Sequence, residues 1–252
     1  MKKFLVVAAV IILGLFIISY FNTNPDSALG ILTKRGTGSI GDLKYRVYLL
    51  GIMPVGEAVL YSAKSEDYQG EAAYHLKAEA RALKIFSKLF SGFAVLDSYI
   101  DTANFNPRLF RQKVVVSGKP DINKEVFYDQ KENVMTLLGV KRQVMPNTQD
   151  PLSLIYNFRH MDFDKVRDFD LSLNTNQKNY MIKGTASAGK ISLGKAVYKT
   201  VLVNAEIRRR DKNPYHKSGI SIILLKGKEN VPLTIKIIAS GFLINAKLIE
   251  AK

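Results

Sequence analysis

The chain contains no cysteine among its 252 residues. That excludes a disulfide, a thiol nucleophile and any thiolate-ligated metal or iron–sulfur centre, and it leaves the compartment open, because cysteine-free chains occur in oxidising and reducing environments alike. Histidine is nearly as scarce: His75, His160 and His216 lie far apart, without H-E-x-x-H or any other compact ligand spacing, so only a metal site assembled from distant positions would be available. G-x-S-x-G and the phosphate-binding P-loop are also missing. "GTGSIG" (Gly36 to Gly41) matches the dinucleotide fingerprint in spelling only; a basic linker precedes it and the strand-like "LKYRVYLL" follows, where the fingerprint needs a strand and then a helix. The sequence therefore indicates no enzyme, no catalytic residue, no metal and no cofactor.

Acidic residues are few. Against 37 Lys and Arg stand 22 Asp and Glu, a net charge of +15 that favours anionic partners. The basic residues are spread along the chain, so charge alone marks no dedicated groove.

The N-terminus does carry a location signal. Lys2 and Lys3 precede 18 residues, Phe4 to Phe21, without a charge. A helix of that length spans about 27 Å, close to the hydrocarbon thickness of a bilayer. The apolar run ends in Tyr20-Phe21, a poor cleavage site, and Ala28-Leu29-Gly30 lies far beyond it. Residues 1–21 read as a signal anchor or uncleaved signal peptide, with the two lysines cytoplasmic. The expected location is a bacterial inner membrane crossed once, with the remainder periplasmic, or a soluble periplasmic form if the segment is removed. That placement argues against nucleic acid and for an anionic lipid, an envelope polymer or an envelope protein as partner.

Residues 22–41 are rich in Pro, Gly, Ser, Thr and Asn and read as a flexible linker; 42–252 read as one β-rich extracytoplasmic domain. From Leu43 the hydrophobic period is mostly two. Leu43, Tyr45, Val47 and Leu49 share one face, and Tyr74, Leu76, Ala78 and Ala80 alternate with His75, Lys77, Glu79 and Arg81. Many short strands with frequent turns predict an all-β fold, an antiparallel barrel, half-barrel or sandwich. Among the expected strands are Tyr180–Gly184, Lys190–Leu193 and one starting at Ala58. Two short helices are expected: one around Ile85, Phe86, Leu89 and Phe90, the other opened by Asp150 as N-cap with Pro151 behind it.

"LGIMPVGEAVLYS" (Leu50 to Ser62) reads as a wide hairpin or bulged bend with an unusually apolar tip of Ile52, Met53 and Val55. The tip either folds back on the core or lines the mouth of a cavity. The stretch "LKYRVYLLGIMPVGEAVL", followed in order by "LFSGFAVLDSYIDTANFNP", "DPLSLIYNFR" and "VPLTIKIIASGFLINAKL", resembles an uncharacterised domain-of-unknown-function family of exported bacterial proteins. "LLKGKENVP" departs from that pattern in being basic rather than acidic. The resemblance implies a β-rich envelope protein and brings no activity with it.

The candidate binding residues are Arg208, Arg209 and Arg210, clustered with Lys212 and Lys217 around a turn; Arg159, among apolar residues near a helix end; and Met53. Asp97 and Asp101 flank Tyr99 on one strand face, about 13 Å apart, too far for the paired carboxylates of a glycosidase. Two functions follow. The first is a non-enzymatic envelope protein holding an apolar or amphipathic, lipid-like ligand within a curved sheet. The second is an assembly or scaffold protein that binds a protein partner through an edge strand or the apolar loop. A large dry cavity would favour the first, and a filled interior with an exposed edge the second.

Overall fold

The computed structural model describes residues 41–84, 92–175, 177–193, 195–210, 218–239 and 242–252. The N-terminal apolar segment, the linker up to residue 40, the helix expected near Ile85, His216, Lys212 and Lys217 lie outside them. Among the described residues no helix is long and apolar enough to cross a membrane.

Fifteen strands form one antiparallel sheet. They are β1 (Leu43–Leu49), β2 (Met53–Leu60), β3 (Lys64–Tyr68), β4 (Glu71–Ala82), β5 (Gly92–Asp101), β6 (Pro107–Val116), β7 (Ile122–Asp129), β8 (Val134–Leu137) and β9 (Val140–Gln143); then β10 (Asp168–Thr175), β11 (Lys178–Leu193), β12 (Ala196–Arg209), β13 (Ser218–Leu225), β14 (Val231–Ala239) and β15 (Phe242–Ala251). The spatial order is β10-β11-β12-β13-β14-β15-β1-β2-β4-β5-β6-β7-β8-β9, with β3 beside β4. The chain thus starts in the middle of the sheet, meanders to one edge, crosses through α1 (Pro151–His160) and meanders back until β15 pairs with β1. There the Lys252 N–H donates to Asp42 O at 2.8 Å, extending the pairing of β15 with β1.

The architecture is an open, barrel-like sheet, neither a closed barrel nor two stacked sheets. No ladder joins β9 to β10. The seam is spanned instead by residues 144–150: Gln149 takes the Ser172 carbonyl and gives its own to the Asn174 N–H, both at 2.8 Å. Side-chain amides complete it, with Asn179 Nδ2 donating to Gln143 O at 3.0 Å and Gln149 Nε2 to Asn106 Oδ1 at 2.7 Å.

The helix fills the concave side. Asp150 accepts from the N–H groups of Leu152 and Ser153 at 2.7 and 2.9 Å, Ser153 Oγ accepts from the Asp150 N–H at 2.8 Å, and Pro151 stands at N1, the start signal read from the sequence. Leu154 and Phe158, four residues apart, pack with Phe169, Ile182, Val203, Ile222 and Leu224. Leu152 and Tyr156, also four apart, pack with Leu76, Leu96, Ile100, Phe110 and Met135. One helix therefore wedges the two halves of the sheet together. A third cluster, around Tyr45, Leu49, Met53, Leu233 and Leu248, lies where β15, β1 and β2 join.

The strand readings need three corrections. Lys178–Leu193 is one strand of 16 residues, not two, because the small residues of "TASAG" carry no hydrophobic period yet pair with β12 throughout. β2 begins at Met53: Pro54 is tolerated there because it pairs with Tyr48 next to a bulge at Val55, which lies between the Tyr48–Pro54 and Val47–Gly56 pairings. β3 and β9 are added strands whose charged and polar residues, mostly exposed, hide any alternation.

Candidate functional site at the hairpin end of the sheet

The β1–β2 hairpin turns at Leu50 and Gly51, with φ of 52° and 77°. Positive φ at both positions is the requirement of a type I′ turn, which Asn-Gly meets at little cost and Leu does not. The Ile52 N–H donates back to Leu49 O at 3.3 Å, and the Leu50 N–H to Leu243 O at 2.6 Å. Met53 is 1% exposed and Val55 is buried, so these two fold back into the core. Leu50 and Ile52 do the opposite and stand 49% and 47% exposed.

The strand registers extend this tip into a row across the sheet. Glu206 is opposite Gly219, Gly219 opposite Ile238, and Ile238 opposite Leu243, which bonds to Leu50. Ile238 is 48% exposed. Gly219 forms a notch in a shallow depression of about 440 Å³ bordered by Glu206, Lys236, Ile238 and Leu243. The row is thus apolar from Leu50 to Ile238 and charged at Glu206, where the basic end of β12 begins.

That end carries three of the residues singled out in the sequence. Arg208 and Arg210 share the outer face with Glu206, and Arg208 Nη2 lies 2.7 Å from Glu206 Oε2, which raises the Arg208 pKa. Arg209 has the parity of the inward-facing Val201, Val203 and Ile207. The hairpin above Met53 and the Arg208–Arg210 cluster therefore lie at one end of the sheet. Arg159 does not join them. It sits at the C-terminal end of α1, 3% exposed, with Nη2 2.7 Å from Glu229 Oε2 in the β13–β14 connection at the opposite end. Beside it the Tyr45 hydroxyl, its pKa raised by burial, donates to Pro232 O at 2.9 Å.

Asp97 and Asp101 face no common point. Asp97 Oδ1 lies 3.0 Å from His75 Nε2, while Asp101 pairs with Arg108 at 2.6 Å and accepts from the Ala103 and Asn104 N–H groups. His75 Nδ1 is directed at Glu66 Oε1, 3.3 Å away, so its two ring nitrogens serve two separate carboxylates. Among the described residues no group of three or more His, Asp or Glu is arranged to hold a metal ion. The row of exposed Leu50 and Ile238 with half-buried Leu243 between them escaped sequence reasoning because it joins a turn and two strands by register; only Ile52 was visible as part of an apolar tip.

Fold and site together define an open antiparallel β-barrel-like protein with a helix in its concavity and an apolar-basic surface at one end. A solved structure of the same class is the beta-barrel-like protein of domain of unknown function DUF1849 from Brucella abortus, similar with a TM-score of 0.59 and 12% identity over 84% of this chain and 97% of that one. No curated protein matches the sequence. The chain belongs to the DUF3108 family, proteins of unknown function, whose model matches residues 44–240.

Proposed function

We propose that this is a non-enzymatic cell-envelope protein that binds an anionic, amphipathic lipid surface through the hairpin end of its sheet. The observation that carries the reading is Leu50. It is held in a left-handed backbone conformation that costs a non-glycine residue roughly 1–2 kcal/mol and is also exposed to water, so neither local preference nor packing accounts for a leucine there. Ile52, Leu243 and Ile238 enlarge the apolar area, and Arg208, Arg210 and Lys236 supply cations at its border. Apolar insertion flanked by basic residues is the chemistry of interfacial membrane binding. Phe4 to Phe21 would hold the domain in the envelope, and the net charge of +15 suits the same partner. α1 occupies the concave side where the sequence put the ligand, so in this proposal the lipid contact lies on the outside of the sheet.

The test is co-sedimentation of residues 22–252, which contain every described strand, helix and core residue, with vesicles of phosphatidylcholine alone or mixed with phosphatidylglycerol. Binding to the anionic vesicles is expected, and Leu50→Asn with Ile52→Asn should abolish most of it. Leu50→Asn alone should leave the fold intact or stabilise it by about 0.5–1 kcal/mol, since Asn tolerates the left-handed region. Binding unchanged in the double variant overturns the reading. No vesicle binding, with site-specific crosslinking from position 50 to an envelope protein, would assign the end to the scaffold function instead, which the exposed four-residue edge strand β9 also suits.

A further inference from the structure

We propose a second site, on the outer face of β4 to β8, that binds an uncharged polysaccharide chain. Two adjoining depressions of about 300 and 610 Å³ share Phe127 and Thr136 and form one trough across these strands. Phe127 stands in the middle, 42% exposed, and Tyr68 borders one end. At the other end the β8–β9 turn presents Leu138, 89% exposed with φ of 52°, beside Gly139 at 74°. Leu138 is a second leucine in a left-handed turn position where Asn would be favoured, and again it is presented to solvent.

Tyr68, at the border of the trough, is backed by an aromatic stack. The rings of His75 and Tyr99 stack at 4.4 Å and 2°, and Tyr99 stacks on Tyr68 at 4.9 Å and 28°. Ala73 and Leu109 share the parity of the outward His75 and Arg111, yet both are fully buried. Tyr68 is thus held rigid from behind, while the trough opens against it.

Charge selects the ligand. Around the trough Arg108, Arg111, Lys113 and Lys124 are matched by Glu71, Asp97, Glu125 and Asp129, so it is neutral on a protein of net charge +15. Arg108 pairs with Glu71 at 2.7 Å and Arg111 with Glu125 at 2.6 Å. A balanced surface gives an anionic polymer no advantage. It also gives an extended peptide no main-chain partner, because β4 to β8 are paired on both sides. What fits is a ligand with apolar C–H faces for Phe127, Tyr68 and Leu138 and many hydroxyls for planar guanidinium, carboxylate and amide groups: a neutral sugar chain.

The test is calorimetric titration of residues 22–252 with cellotetraose, maltotetraose and chitotetraose, and with polygalacturonate as the anionic comparison. At least one neutral tetrasaccharide should bind at millimolar concentration with little dependence on salt. Phe127→Ala should weaken it about tenfold, the loss of one aromatic contact. Leu138→Asn should weaken it with the melting temperature unchanged or raised, which separates binding from folding. Leu50→Asn should have no effect, which separates this site from the lipid-binding end. Failure of all three neutral sugars, binding that survives Phe127→Ala, or salt-sensitive binding of polygalacturonate alone would overturn the proposal.

Discussion

Phe158 of α1, on the concave side, is fully buried against Phe169, Ile182 and Val203, whereas Phe127 on the convex side leaves 42% of its surface in water. The contrast holds across both faces. The concave face is apolar and closed by a capped helix, and its cap is tied by short hydrogen bonds such as Ser98 Oγ to Asp150 Oδ2 at 2.5 Å. The convex face is an ionic and aromatic surface, with Lys44 and Arg46 on Glu57, Lys77 on Glu79 and the His75–Tyr99–Tyr68 stack. Packing explains nearly every residue inside. Outside, Leu50, Leu138, Ile238 and Phe127 are left unexplained by packing, and binding must be sought there. Changes inside should therefore act on stability, and changes outside on ligands.

The largest effect is expected from Phe158→Ala. The ring sits edge-on to Phe169 at 5.4 Å and contributes to the wedge that joins the two halves of the sheet. Its removal should cost about 3–5 kcal/mol, read as a shift in the urea midpoint. A loss under about 1 kcal/mol would mean that the concavity relaxes freely, and the division between a rigid inside and a functional outside would fail.

A smaller effect inside concerns protons. Asp150 is fully buried, and burial lifts its carboxyl to about 6, against the lowering influence of Ser98 and the Ser153 and Leu152 N–H groups. Burial likewise raises the neighbouring Tyr128 hydroxyl, with the Asp150 charge adding to it. Because the folded value lies above the unfolded one of about 3.9, the fold prefers the protonated acid. The associated stability is complete below about pH 4 and is lost as pH rises through about 6, on the order of 2–3 kcal/mol in all. Asp150→Asn keeps an N-cap acceptor and lacks the titration, so urea unfolding should show the variant gaining on the natural protein between about pH 4 and 7. A constant difference would place the carboxylate in a more polar setting than the concave face provides.

The same division explains what could be read from the sequence. Strands with one buried face announce themselves, as in Gly92–Asp101, where Ala94, Leu96, Ser98 and Ile100 point inward. The helix was legible from Asp150 and Pro151 because its cap is local chemistry. β3, "KSEDY", and β9, "VKRQ", were not, because edge strands carry charge to discourage pairing and so lose the alternation that reveals a strand. Met53 was legible as part of an apolar tip, but the choice between core and surface depended on the bulge at Val47 and Tyr48, which turns Met53 in and leaves Ile52 out. The apolar row and the trough were illegible for a further reason: each joins residues from several strands, and register across a sheet is not written in any one of them.

The smallest effect is expected from Arg208→Gln with Arg210→Gln, and it is the sharpest test of how the outer surface works. Both side chains are exposed on the outer face at the end of β12, and Arg208 already shares its charge with Glu206 at 2.7 Å. Stability should hardly change, because exposed ion pairs contribute little to folding. Binding to phosphatidylglycerol vesicles should fall several-fold at low salt, less than with Leu50→Asn and Ile52→Asn, since charge attracts the domain to the surface while the leucine and isoleucine hold it there. The difference between natural and variant protein should vanish near 1 M salt, where the Debye length is about 3 Å. Tighter binding of Glu206→Gln, in the otherwise natural chain, than of the natural protein at low salt would show the Arg208–Glu206 ion pair to be a brake on that attraction. If Arg208→Gln with Arg210→Gln binds the vesicles as well as the natural protein at low salt, the basic end of β12 serves to keep a strand end solvated, and the apolar row would have to act alone.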